Sequence, residues 1–118
     1  MVKFLDVLIV DDDIEEACVV ARLLRAKHSV RIAVGLRDAV HAIAQRVPDV
    51  IVCAHEMPPY RGDALLAMIA SEHPEVRRVL FSRSAEATVV DGDDVVHAVV
   101  RKPVNAAELL AAIVSDDG

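Results

Sequence analysis

Short aliphatic runs alternate with longer amphipathic stretches along the whole chain, and that alternation rules out most architectures. The first run, Leu5 to Val10, ends in three aspartates and reads as a strand buried on both faces. From Ile14 to Ala26 the apolar residues Ile14, Ala17, Cys18, Ala21 and Leu24 recur at three- and four-residue steps, which predicts a helix capped by Asp12 or Asp13. Val30, Ile32 and Val34 alternate with other residues as a half-exposed strand, and Gly35 ends it. A second helix is expected from about Arg37 to Arg46, with Leu36, Ala39, Val40, Ile43 and Val47 as its inward stripe and Pro48 as its stop. Val50 to Ala54 is the central strand, and Met57, Pro58 and Pro59 form a loop. Gly62 opens a third helix facing inward through Leu65, Leu66, Met68 and Ile69 and ending near Pro74.

Val76 to Ser82 and Val95 to Val100 supply two further strands, and Ala106 to Val114 a last helix opened by a capping box of Asn105 with Glu108. Between Ser82 and Val95 the weak helix formers Thr88, Val89, Val90, Gly92, Asp93 and Asp94 leave the fourth helix short or absent. Strands alternating with helices predict an α/β fold, a doubly wound five-stranded parallel sheet with right-handed crossovers and helices on both faces.

At 118 residues the chain is expected to be a single domain, residues 1–118. No apolar run approaches the roughly 20 residues that span a bilayer, and Asp6 interrupts the stretch that a secretory signal would need. The expectation is a cytoplasmic protein without membrane contact. In that compartment Cys18 and Cys53 are read as small hydrophobes, not as a disulfide. A net charge of −6, with no basic cluster carrying interleaved aromatics, argues against nucleic-acid binding. His28, His41, His73 and His97 are scattered and show no zinc-ligand spacing.

Ligands of such sheets sit beyond the strand C-terminal ends. Four segments place polar groups there: Asp11 to Asp13, Ala54 to Met57, Ser82 to Ser84, and Lys102 with Pro103. Adjacent carboxylates form a hard-oxygen site suited to Mg²⁺, a hydroxyl hydrogen-bonds a phosphoryl oxygen, and an ammonium neutralises one. Each feature also has an ordinary explanation: capping for an aspartate, a turn for Ser82, an ion pair to Asp11 or Asp12 for Lys102. His55, beside the central strand end, is read as a packed or solvated histidine.

The motifs that occur in order are Leu8-Ile9-Val10-Asp11-Asp12-Asp13, Pro48-Asp49-Val50-Ile51-Val52-Cys53-Ala54 with Met57-Pro58 and Gly62 behind it, Val79-Leu80-Phe81-Ser82, and Lys102-Pro103 followed by Glu108-Leu109. Together they resemble the response-regulator receiver family of bacterial two-component signalling over nearly the whole length. The resemblance implies a flavodoxin-like sheet of strand order 2-1-3-4-5, Asp11 and Asp12 as the acidic pair, Ser82 as the hydroxyl residue, Lys102 as the phosphate-binding lysine, and a cis bond before Pro103. It also implies a departure at the centre. The residue four before Pro58 is the phosphoacceptor-equivalent position, and it is Ala54, whose methyl group accepts no phosphate. Arg83 stands where a small residue usually follows the hydroxyl, Val99 where an aromatic switch residue precedes the lysine, and Glu56 where a backbone carbonyl usually meets the metal.

The implied role is a receiver-like phosphorelay module, not an enzyme, that acts through protein partners independently of phosphorylation: a histidine kinase, an output domain or another signalling protein, with a homodimer left open. No cofactor is required, and Mg²⁺ is expected to bind weakly at most, through Asp11, Asp12 and Glu56. Two alternatives stay open. One is an ordinary phosphorylatable receiver carrying an engineered Asp→Ala change at position 54. The other is a haloacid-dehalogenase-like phosphatase, built on Asp11-x-Asp13 with a later serine and lysine, whose further acidic pair would have to be Asp116 and Asp117.

Overall fold

The structure, a computed structural model, describes residues 4–83 and 95–114. Strand β1 (Asp6–Val10) runs parallel to β2 (Ser29–Ala33) on one side and to β3 (Val50–Ala54) on the other. Beyond β3 lie β6 (Arg77–Ser82) and β7 (Ala98–Arg101), giving the sheet order β2-β1-β3-β6-β7. Counting sheet strands alone, this is the expected order 2-1-3-4-5. Strand β3 is central and buried at every position, which is why its sequence is a continuous apolar run with no alternation. Edge strand β2 is only part-buried at four of its five positions, and there the polar residues Ser29 and Arg31 are tolerated.

Helices α1 (Ile14–Arg25), α2 (Leu36–Gln45), α3 (Gly62–Glu72) and α4 (Ala106–Ala112) cover the two faces. Side chains alternate along each strand, so one core gathers Leu8, Val10, Ile51 and Leu80 under α2 and α3, and a second gathers Val7, Ile9, Val52 and Phe81 under α1 and α4. Asp13 caps α1, accepting the Glu15 and Glu16 N–H groups at 3.0 and 3.3 Å, and Asn105 caps α4 by accepting the Glu108 N–H at 3.1 Å. Among the described residues no helix is long and apolar enough to cross a membrane.

Several local expectations are corrected. The buried seam of α1 is Ala17, Val20, Ala21 and Leu24; Ile14 lies on its flank, half exposed, and Cys18 faces outward. In α2 the seam is Ala39 and Ile43, which leaves Val40 outside, and in α3 Met68 is exposed beside Leu65, Leu66 and Ile69. The loop at Pro58 and Pro59 joins two short antiparallel strands, β4 (Glu56–Met57) and β5 (Tyr60–Arg61). The last sheet strand starts at Ala98 instead of Val95, because the Arg78 guanidinium takes the Val95 carbonyl at 2.8 Å and His97 bridges to Arg78. The fourth helix, expected between Ser82 and Val95 to be short or absent, falls on residues 84–94, outside the described residues.

Candidate functional site

Parallel strands in register bring their C-terminal ends together. Ala54 lies opposite Phe81, and Ser82 lies opposite Arg101, the residue before Lys102. Asp11 follows β1 directly, so the sequence-expected residues Asp11, Ala54, Ser82 and Lys102 arrive at one end of the sheet. The Lys102–Pro103 bond is cis. A cleft of about 420 Å³ opens there, lined by Asp11, Asp12, Asp13, Glu16, Glu56, Arg83 and Lys102.

Asp11 is 2% exposed; its Oδ1 accepts the Asp13 N–H at 3.0 Å and its Oδ2 lies 3.5 Å from the Lys102 ammonium. Burial pushes the Asp11 carboxyl up, and the Asp13 N–H and Lys102 only partly offset it. Lys102 has a second and shorter contact, 2.5 Å to Oε2 of Glu16. The other oxygen of Glu16 is paired with the Arg83 guanidinium. Burial works against ionisation of Glu16, but hydrogen bonds from Lys102 and Arg83 outweigh it and hold the carboxyl below its usual range. Asp12, expected in the pocket, lines the cleft but is exposed.

Ser82 is fully buried and turned towards Glu56, donating to its Oε2 at 2.8 Å. His55 Nδ1 lies 2.8 Å from that oxygen and 3.3 Å from the Ser82 hydroxyl, while Oε1 of Glu56 accepts the Arg83 N–H at 3.1 Å. Burial opposes the charge on Glu56, and the Ser82 hydroxyl and Arg83 N–H overcome it, so its carboxyl is also held low. Ala54, 1% exposed, closes β3 with a methyl group. Gly62 packs so closely that a Cβ on it would fall 1.9 Å from the Ala54 carbonyl oxygen. Burial pushes the neighbouring Cys53 thiol far up, which keeps it a neutral core group.

Sequence reasoning missed Glu16, and it marked Arg83 as a departure from the family pattern without its pairing to Glu16. Glu16 reads as an ordinary first-turn acid of α1, and its partner Lys102 is 86 positions away. The only local signal was the arginine itself, set where a small residue is usual. These residues do not fit a Mg²⁺ ion. Both oxygens of Asp11, Glu16 and Glu56 are already engaged, the side chain at position 54 offers no oxygen, and among the described residues no three His, Cys, Asp or Glu side chains are arranged to hold a metal. The phosphatase alternative places its second acidic pair, Asp116 and Asp117, outside the described residues.

Residues 7–114 match the family model described as the response regulator receiver domain. The chain belongs to the response-regulator receiver family. No curated protein matches this receiver domain. Among solved structures, it is similar to NtrX from Brucella abortus in complex with ADP, with a TM-score of 0.83 and 28% identity over 92% of this chain and 26% of that one. The isolated receiver domain of the same NtrX aligns at TM-score 0.81 and 29% identity, covering 90% of this chain and 92% of that one. The signal receiver domain of an HD domain-containing protein from Pseudomonas fluorescens Pf-5 shares the fold at TM-score 0.82 and 23% identity, covering 93% and 91%. This receiver domain thus spans about a quarter of the longer NtrX chain.

Proposed function

We propose that this receiver domain signals by what it binds and takes no phosphate at position 54. The observation that carries this reading is the occupancy of the groups around Ala54. Lys102 is held by Glu16 and Asp11, Ser82 is held by Glu56, and the residue between them ends in a buried methyl. Receivers work with kinases and output domains, and a domain of this design would serve such partners, a histidine kinase, an attached output domain or a second copy, as a docking module in the cytoplasm. It needs no cofactor for that role.

A phosphorylatable receiver with a natural aspartate at 54 is the second reading, favoured by the presence of Asp11, Ser82 and Lys102 on the neighbouring strand ends. The native codon 54 separates the two. In the protein itself, exposure to a small phosphodonor with Mg²⁺ followed by intact-mass measurement is expected to show no added phosphoryl group. Ala54→Asp is expected to gain one slowly, with amide NMR shifts confined to residues 11 to 13, 54 to 58 and 82 to 83. Phosphoryl transfer to the unsubstituted chain overturns the reading. Large shifts in Ala54→Asp across residues 95 to 114 would show an intact switch and favour the second reading.

A further inference from the structure

Among the described residues the cleft gathers five carboxylates, Asp11, Asp12, Asp13, Glu16 and Glu56, around two cations, Arg83 and Lys102. Like charges at that density disfavour one another's ionisation, and either a bound cation or fixed internal cations must offset them. In this chain the offset is internal. Lys102 joins Asp11 to Glu16, at 3.5 and 2.5 Å, and Arg83 takes the oxygen of Glu16 that Lys102 leaves. The Arg83 backbone N–H, from the same residue, holds Oε1 of Glu56 at 3.1 Å. One residue therefore draws together the Glu16 carboxylate of α1 and the Glu56 carboxylate of β4, which a divalent ion would otherwise have to bridge.

We propose that Arg83, linked to Lys102 through Glu16, is a built-in cation that takes the charge role of a divalent metal in this cleft and excludes one while it is in place. Three features make the exclusion specific to Arg83. Its guanidinium occupies an oxygen on the cleft side of α1, beside the exposed Asp12 and Asp13. Its side chain is 67% exposed, so it is anchored by charge and not by packing. Lys102, in contrast, is nearly buried and committed to Asp11 as well. Loss of the Arg83 charge leaves one cation among five carboxylates and frees a hard oxygen of Glu16 towards Asp12 and Asp13, the donor chemistry that Mg²⁺ and Mn²⁺ take. This exclusion is separable from the reading above, because it keeps Ala54 and concerns metal alone.

The test is calorimetric titration of the full chain with Mg²⁺ and with Mn²⁺, alongside thermal melts at each metal concentration. The unsubstituted protein is expected to bind weakly and to melt at nearly the same temperature with or without metal. Arg83→Ala and Arg83→Gln are expected to bind about tenfold tighter, the order produced by removing a unit charge a few ångströms away in a partly screened site. Mn²⁺ should then broaden amide signals of residues 11 to 16. Arg37→Ala, which removes the same charge from an exposed position on α2, controls for net charge and should leave affinity unchanged. A submillimolar dissociation constant in the unsubstituted chain, no gain in either Arg83 variant, or an equal gain in Arg37→Ala each overturns the proposal.

Discussion

The Lys102 side chain keeps 8% of its surface exposed, and its ammonium lies 5.0 Å from the centre of the Phe81 ring while facing Asp11 and Glu16. A cation so placed has exchanged its water for two carboxylates and an aromatic face, and Asp11, 3% exposed at its side chain, has given up its water with it. Lys102→Ala would leave Asp11 buried without its cation, and the expected loss is about 3 kcal/mol in denaturant unfolding. Asp12→Asn, at an exposed position, should change stability by less than about 0.5 kcal/mol. Combining Lys102→Met with Asp11→Asn should recover most of the Lys102→Ala loss, because no buried charge is then left alone. A single Lys102→Ala variant as stable as the parent would show that the ion pair contributes nothing. The pairing of Lys102 with Asp11 was legible in the sequence, since both residues flank strands that had to be parallel. The shorter bond to Glu16 was not, because it depends on the rotation of α1 about its axis, and Ile14 and Cys18 pull a periodicity reading of that rotation the wrong way.

Strands and helices differ in how plainly they can be read. A strand buried on both faces needs only a run of aliphatic residues, so β1, β3 and β6 stand out to within a residue. A helix needs a phase as well as a period, and apolar residues on its flanks, such as Val40 and Met68, widen the stripe without being buried. The start of α3 is the exception. Gly62 begins it, and the glycine is required by closeness rather than by chain direction, since its backbone lies against the Ala54 carbonyl. Its N–H also donates to the His55 carbonyl at 2.9 Å. Gly62→Ala is therefore expected to cost about 3 kcal/mol, because backbone and not a pliant side chain must move aside. Urea midpoints report it, and the displacement should appear in the chemical shifts of Ala54 and His55. A Gly62→Ala variant of parental stability would mean that α3 slides along β3 freely.

Across the whole molecule, the end of the sheet away from the cleft carries the response to mild acid, above the range in which the cleft carboxylates titrate. His28 is buried, with Nδ1 accepting the Leu5 N–H at 3.1 Å, and His97 Nδ1 accepts the Arg78 N–H at 2.8 Å. Burial lowers the pKa of His28, helped by Lys27, and partial desolvation of an otherwise exposed ring, with Arg78 and Arg77 beside it, lowers that of His97. A histidine lowered in the folded state stabilises the fold above its unfolded pKa, and that contribution is lost as pH falls through the folded value. Urea midpoints should therefore drop as pH falls below about 6.5, the ordinary histidine value, and His28→Gln with His97→Gln should flatten the drop. An unchanged slope in the double variant would assign it elsewhere.

The sheet order also bears on synthesis. Strand β3 pairs with β1 on one side and with β6 on the other, and β6 ends at Ser82. A nascent chain that has emerged only as far as α3 holds an all-apolar strand with one row of amide and carbonyl groups unpaired, a template for another chain. The most deeply buried strand of the finished domain is thus the most adhesive one while the domain is being made, and rapid delivery of β6 is its protection.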